Sequence, residues 1–175
     1  ITIITGIAWD HINVFPTYDS YTAVFKKYLS ELPASAHVYF YQHDADLYSI
    51  ATGLDRSDLS IFSYSVYPHK IKGGAAYLVY KDTEVRLEIF GNHNLENIQA
   101  AVNVCKELGL NELDCIKSLS NFKGAAKRMQ PLLVNDQVKI FLDFAHAPSK
   151  VKATLKAVKN QFPGFKLITI LELHT

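Results

Sequence analysis

The chain has 175 residues, enough for one ordinary domain or two small ones. An apolar content of 49% supplies a sizeable core and argues against disorder, and a formal charge of +1 argues against the broad basic face of a nucleic-acid binder. No apolar run has the length of a membrane span, no signal peptide is expected, and Cys105 and Cys115, the only cysteines, read as reduced cytosolic core residues rather than a disulfide or zinc framework. The expected location is cytoplasmic, with no nucleic-acid or membrane partner.

The first strand is expected over residues 2–5, with residues 6–14 as its exit loop. A helix over 18–32 carries Val24, Phe25, Tyr28 and Leu29 on its apolar face, and Pro33 ends it. A strand over 37–41 follows, then a short helix over 44–52 capped by Asp44 and stopped by Gly53, then a strand over 60–66. Residues 75–80 and 84–90 read as a hairpin around Lys81-Asp82-Thr83, because Val85, Leu87 and Ile89 alternate with Arg86 and Glu88. The next helix places Leu95, Ile98, Val102, Cys105 and Leu108 on one face and ends at Gly109. Asn111 caps a further helix that runs to about 119.

Residues 122–128 (FKGAAKR) form a Gly-containing basic connection. Strands over 132–134 and 138–144 flank the turn Asn135-Asp136, the second reading as a buried strand rich in β-branched and aromatic residues. A domain boundary is expected within 120–130, giving units 1–125 and 126–175. Pro148 suits the first turn of a helix in which Val151, Leu155, Val158 and Phe162 recur at helical spacing. A last strand is expected within Leu167–Thr175. The chain opens at Ile1 inside a strand pattern without an initiator Met and stops as another strand finishes, so a fragment of a longer enzyme is expected.

Asp143 and His146 fall where a strand ends before a helix, the edge at which α/β folds bind ligands. Each can equally cap the helix that follows. Asp10-His11 follows the first strand; an imidazole beside a carboxylate can bind a metal ion or orient a phosphate, or simply hydrogen-bond within its loop. Asn94 and Asn97 share one face of a helix's first turn, where an amide suits the edge of an adenine ring, or where one caps and the other is solvated. Arg128, beside Lys127, can hold phosphate oxygens or be solvated. Lys152, Lys156 and Lys159 read as a solvated face. His37, His43, His69 and His174 are taken as structural.

Taken in order, Thr5-Gly6-Ile7-Ala8-Trp9-Asp10-His11, Gly91-Asn92-His93-Asn94-Leu95-Glu96-Asn97, residues 122–128 and Asp143-Phe144-Ala145-His146-Ala147-Pro148 resemble the Mur ligase superfamily over nearly the whole chain. The resemblance is to its UDP-N-acetylmuramate-specific branch. It implies an α/β fold: the later part of a central ATPase domain with a β-hairpin, then the start of a Rossmann-like C-terminal domain. It implies ATP and Mg2+ as cofactors and an ATP-dependent ligase of peptidoglycan synthesis or recycling. The substrates would be UDP-N-acetylmuramate and L-alanyl-γ-D-glutamyl-meso-diaminopimelate or, in the alternative, L-alanine. By matched position, His11 would hold magnesium with support from Asp10. Asn94 and Asn97 would read adenine, Asp143 the ribose, and Arg128 and His146 would be catalytic groups near the phosphates.

The chain departs from the family pattern in several places. It contains no Gly-Lys-Thr phosphate loop, no upstream Glu for the magnesium and no uridine-gripping domain, so these residues alone are expected to be inactive. Phe25 stands where several relatives carry a carbamylated Lys, with Lys26 adjacent. Ala147 replaces a second His, and Leu173 replaces a Pro. A folate-polyglutamylating relative fits the Asp143–Pro148 block less well, and a non-catalytic nucleotide-binding module is the alternative from another class.

Overall fold

The computed structural model describes residues 1–172. Three parallel strands open the chain: β1 (Thr2–Ile4), β2 (His37–Tyr41) and β3 (Ser60–Tyr64), in the order β1-β2-β3. Val38 pairs with Thr2 on one side and Ile61 on the other. Parallel pairing needs crossovers, supplied by α1 (Tyr18–Ser30) and α2 (Ala45–Thr52). Thr17 and Ser20 form a capping box at the start of α1, and the Asp44 carboxylate accepts the Leu47 N–H at 3.0 Å to cap α2. The helix α1 stops two residues before the expected end, with Pro33 close behind. Ile4, Ile7, Leu29, Val38, Phe40 and Leu47 fill the layer between sheet and helices.

A second sheet is antiparallel: β4 (His69–Lys72), β5 (Ala75–Tyr80) and β6 (Thr83–Arg86). The sequence did not announce β4, because three of its four residues are exposed and carry no alternation. The hairpin strand expected over 84–90 leaves the ladder after Arg86, which already faces Tyr77 near the start of β5. Leu87, Ile89 and Phe90 are nevertheless buried and lead into α3 (Asn92–Glu107). Leu95, Ile98 and Val102 of α3 point inward as expected, whereas Leu108 lies past the helix and is 68% exposed. Asn111 caps α4 (Glu112–Ser118) through the Leu113 and Asp114 N–H groups, and a 3-10 turn (Leu119–Asn121) follows.

The hairpin of β7 (Gln130–Val134) and β8 (Lys139–Leu142) precedes α5 (Pro148–Gln161). The buried strand expected over 138–144 is shorter and more open: Val138, Ile140 and Leu142 are exposed, since a two-stranded ladder has cover on one side only. On α5 the fully buried residues are Ala157 and Gln161, with Val151, Leu155, Val158 and Phe162 half-buried. Residues 167–172 pair with no strand, contrary to the expected last strand; its remainder, with His174, lies outside the described residues.

One core runs through the second sheet, α3 and α4 and takes in Met129 and Ala157 from beyond the expected boundary. Phe90, Phe141 and Phe162 close it, with ring centroids 5.3–5.8 Å apart. The chain from 126 onward is therefore packed onto the unit before it. Among the described residues no helix is long and apolar enough to cross a membrane.

Candidate functional site

The loop after β1 is held from beneath. Asp44 accepts the Ile7 N–H at 2.7 Å as well as capping α2, and the buried Ile7 side chain anchors the turn. Trp9 donates its indole N–H to the Phe15 carbonyl at 3.1 Å. His11 stands in left-handed backbone (φ 57), and its carbonyl accepts the N–H groups of Val14 and Phe15. Its ring is exposed, with Nε2 3.9 Å from Asp10 Oδ2. Asp10 Oδ1 accepts the His11 N–H at 2.8 Å, and Oδ2 accepts from Lys150 Nζ at 2.5 Å. The Lys150 ammonium is the main cause holding the Asp10 carboxyl below the usual carboxylate range.

The second part is the start of α3. Gly91 (φ +94) lies so close to α5 that a Cβ there would stand 2.8 Å from that of Ala157. Its carbonyl accepts the Asn94 and Leu95 N–H groups. The Asn94 amide donates to the Phe90 carbonyl at 2.8 Å, while Asn97 is exposed. The His93 ring lies beside Gly91. Burial lowers its pKa, and the nearby Asp143 and Arg128 charges act on it in opposite directions.

The third part is the connection. Lys127 (φ 56) and Met129 (φ 46) are both left-handed, so Arg128 sits between two strained residues. Three bonds fix this geometry: Lys127 N–H to Gln130 Oε1 at 3.0 Å, Met129 N–H to Asp143 Oδ2 at 2.8 Å, and Phe144 N–H to the Lys127 carbonyl at 2.8 Å. Asp143 Oδ1 also accepts the Ala145 N–H at 2.7 Å. The Arg128 guanidinium lies 5.8 Å from the Phe144 ring centroid. His146 Nδ1 donates to the Phe144 carbonyl at 3.0 Å, and its ring meets the Phe144 ring edge-on.

Packing brings the start of α3 against α5 at Gly91 and Ala157, and the Arg128 connection against the Asp143–His146 segment, while among the described residues Asn97 makes no hydrogen bond to either. His93 feels the charges of Asp143 and Arg128, and Lys150 joins α5 to the Asp10–His11 loop. Neither His93 nor Lys150 was singled out from sequence. A signal for Lys150 did exist: a cation in a helix's first turn opposes the macrodipole, and α5 has no acid there to offset it. Among the described residues no group of three or more His, Cys, Asp or Glu side chains could hold a metal ion. Asp10 and His11 together supply one carboxylate, already paired with Lys150, and one exposed imidazole.

The arrangement is that of an α/β protein in which the segment from 126 onward packs on the core of the second sheet and carries its acidic, cationic and imidazole groups beside the start of α3. No family model matches the chain. A UDP-N-acetylmuramate–L-alanine ligase of Desulforamulus reducens is 30% identical, aligned over 99% of this chain and 40% of that protein. Of solved structures, MurF from Acinetobacter baumannii is similar with a TM-score of 0.68 and 19% identity, over 94% of this chain and 38% of that one. MurF ligase from Thermotoga maritima in complex with ADP is similar with a TM-score of 0.67 and 15% identity, over 88% of this chain and 38% of that one. The chain belongs to the Mur ligase superfamily and spans about 40% of the length of the curated relatives it matches.

Proposed function

We propose that the intact protein is an ATP-dependent ligase of peptidoglycan synthesis or recycling that joins the lactyl carboxylate of UDP-N-acetylmuramate to an amine. The observation that carries this reading is the packing that joins the Asp10–His11 loop and the start of α3 to α5, and Arg128 to the Asp143–His146 segment. Asn94 and Asn97 would meet the adenine edge and Asp143 the ribose. Arg128 would neutralise charge developing on the transferred phosphoryl group. Asp10 and His11 would hold the magnesium, which supplies further neutralisation when bound.

The carboxylate attacks the γ-phosphorus of ATP and ADP leaves. The amine then attacks the acyl carbon, loses a proton, and phosphate departs. The tripeptide L-alanyl-γ-D-glutamyl-meso-diaminopimelate is the amine that the Asp143-Phe144-Ala145-His146 block and Leu171-Glu172 favour. L-Alanine is the second reading, favoured by the names of the curated relatives. The work is cytoplasmic on this reading, and the 175 residues alone are inactive because they contain no Gly-Lys-Thr loop.

The test is phosphate release by the full-length gene product, given ATP, Mg2+ and UDP-N-acetylmuramate with each amine in turn. Release that requires both the muramate and one amine is expected. ATP binding without release under either condition overturns the ligase in favour of a nucleotide-binding module.

A further inference from the structure

We propose that Cys105 and Cys115 form a reversible dithiol–disulfide pair, oxidised by a low-molecular-weight disulfide, that fastens the corner between α3 and α4. Both thiols are free and half-buried. Cys105 is the third residue from the end of α3 and Cys115 the fourth of α4, with only residues 108–111 between the helices. A connection that short folds the second helix back beside the first. The two thiols meet there and hydrogen-bond to each other.

Neighbouring contacts build this approach. Lys106, next to Cys105, places its Nζ 2.6 Å from Glu112 Oε2, and Tyr67 donates its hydroxyl to Glu112 Oε1 at 2.9 Å. The Leu110 N–H donates to the Cys105 carbonyl at 2.9 Å, and the Cys115 N–H to the Asn111 carbonyl at 3.0 Å. Ile116, beside Cys115, is fully buried in the core. The backbone on both sides is thus fixed, and thiols already within hydrogen-bond reach need little movement to close a bond.

Burial pushes the Cys115 thiol up, and Cys105 and Asp114 push it further in the same direction. A thiol that keeps its proton is a poor first nucleophile. Cys105 therefore attacks first: its thiolate takes one sulfur of the small disulfide, and one small thiol leaves. Cys115 then loses its proton to solvent and attacks the Cys105 sulfur of the mixed disulfide, and the second small thiol leaves. The chain gives up two electrons and two protons, and the small disulfide gains them as two thiols.

The pair is independent of the ligase reading, and its test contains no nucleotide or muramate. The 175 residues hold no other cysteine, so each adduct has one possible site in a single variant. The chain is equilibrated with oxidised and reduced glutathione, folded and in urea, then alkylated and weighed by mass spectrometry. The folded chain should carry one internal disulfide, remain monomeric and return to two thiols with dithiothreitol. Its equilibrium constant for oxidation should be about thirtyfold larger than in urea, the scale on which closing a short loop favours the native state. Cys115→Ser should hold one stable glutathione adduct, and Cys105→Ser should gain its adduct about fivefold more slowly. Two adducts on the folded chain, disulfide-linked dimers, equal constants folded and in urea, or equal rates for the two variants would each overturn the proposal.

Discussion

Asp143 accepts the N–H of Met129 at 2.8 Å, and Met129 is held in left-handed backbone while its side chain is buried in the core. One carboxylate thus keeps the connection strained around Arg128. Asp143→Ala leaves the Met129 and Ala145 N–H groups without this acceptor and is expected to cost about 2–3 kcal/mol, the range for hydrogen bonds to a charged group. Urea denaturation measures it. A variant as stable as the parent would show that the connection is fixed by other means.

Gly91 is the second such point. Alanine there meets both an unfavourable positive φ and the Ala157 methyl group. Gly91→Ala is expected to cost about 2–4 kcal/mol, from left-handed strain together with overpacking. The thermal midpoint should fall, and Ala157→Gly should recover part of the loss by removing the methyl group.

Asn94 has a structural bond to Phe90 and a proposed role toward adenine. In the full-length protein, Asn94→Ala should weaken ATP binding by about 1–3 kcal/mol, the cost of losing a buried hydrogen-bond partner. Calorimetry with ATP reads this directly. Affinity that is unchanged removes the adenine role and leaves the Phe90 bond as the whole function of the side chain.

Burial raises the Glu96 pKa from 4.5, opposed by the Tyr41 hydroxyl that donates to it. A carboxyl with a raised folded-state pKa contributes stability below its unfolded value, and that contribution is lost as pH rises through the folded value. Glu96→Gln should therefore be more stable than the parent at neutral pH, and the gap should close below about pH 4.5. Denaturation midpoints taken across that range decide it.

Asp44 carries two backbone donors, Ile7 N–H and Leu47 N–H. Asp44→Ala should cost about 2 kcal/mol, the upper range for a lost helix cap. It should also loosen the Asp10–His11 loop, seen as a change in Trp9 emission. A stability loss with unaltered emission would confine Asp44 to capping α2.

Much of this was legible in one dimension. Asp44 and Asn111 announce helix starts because a cap is a bond over two or three residues, and the apolar spacing of Leu95, Ile98 and Val102 states which face is buried. The extent of strands was less legible. β6 ends at Arg86 and β8 stays exposed because ladder length depends on partners elsewhere in the chain.

The sequence by itself determined the order of the helices and of every strand except β4, and supplied the blocks that resemble the family, since propensity, capping and motif identity are local properties. Only the tertiary structure decided that Lys150 would meet Asp10, that His93 would feel the charges of Asp143 and Arg128, and that Asp143 would hold Met129. Those contacts join residues far apart in the chain, and such a charge pair or backbone acceptor exists only once packing has brought its two ends within hydrogen-bond reach.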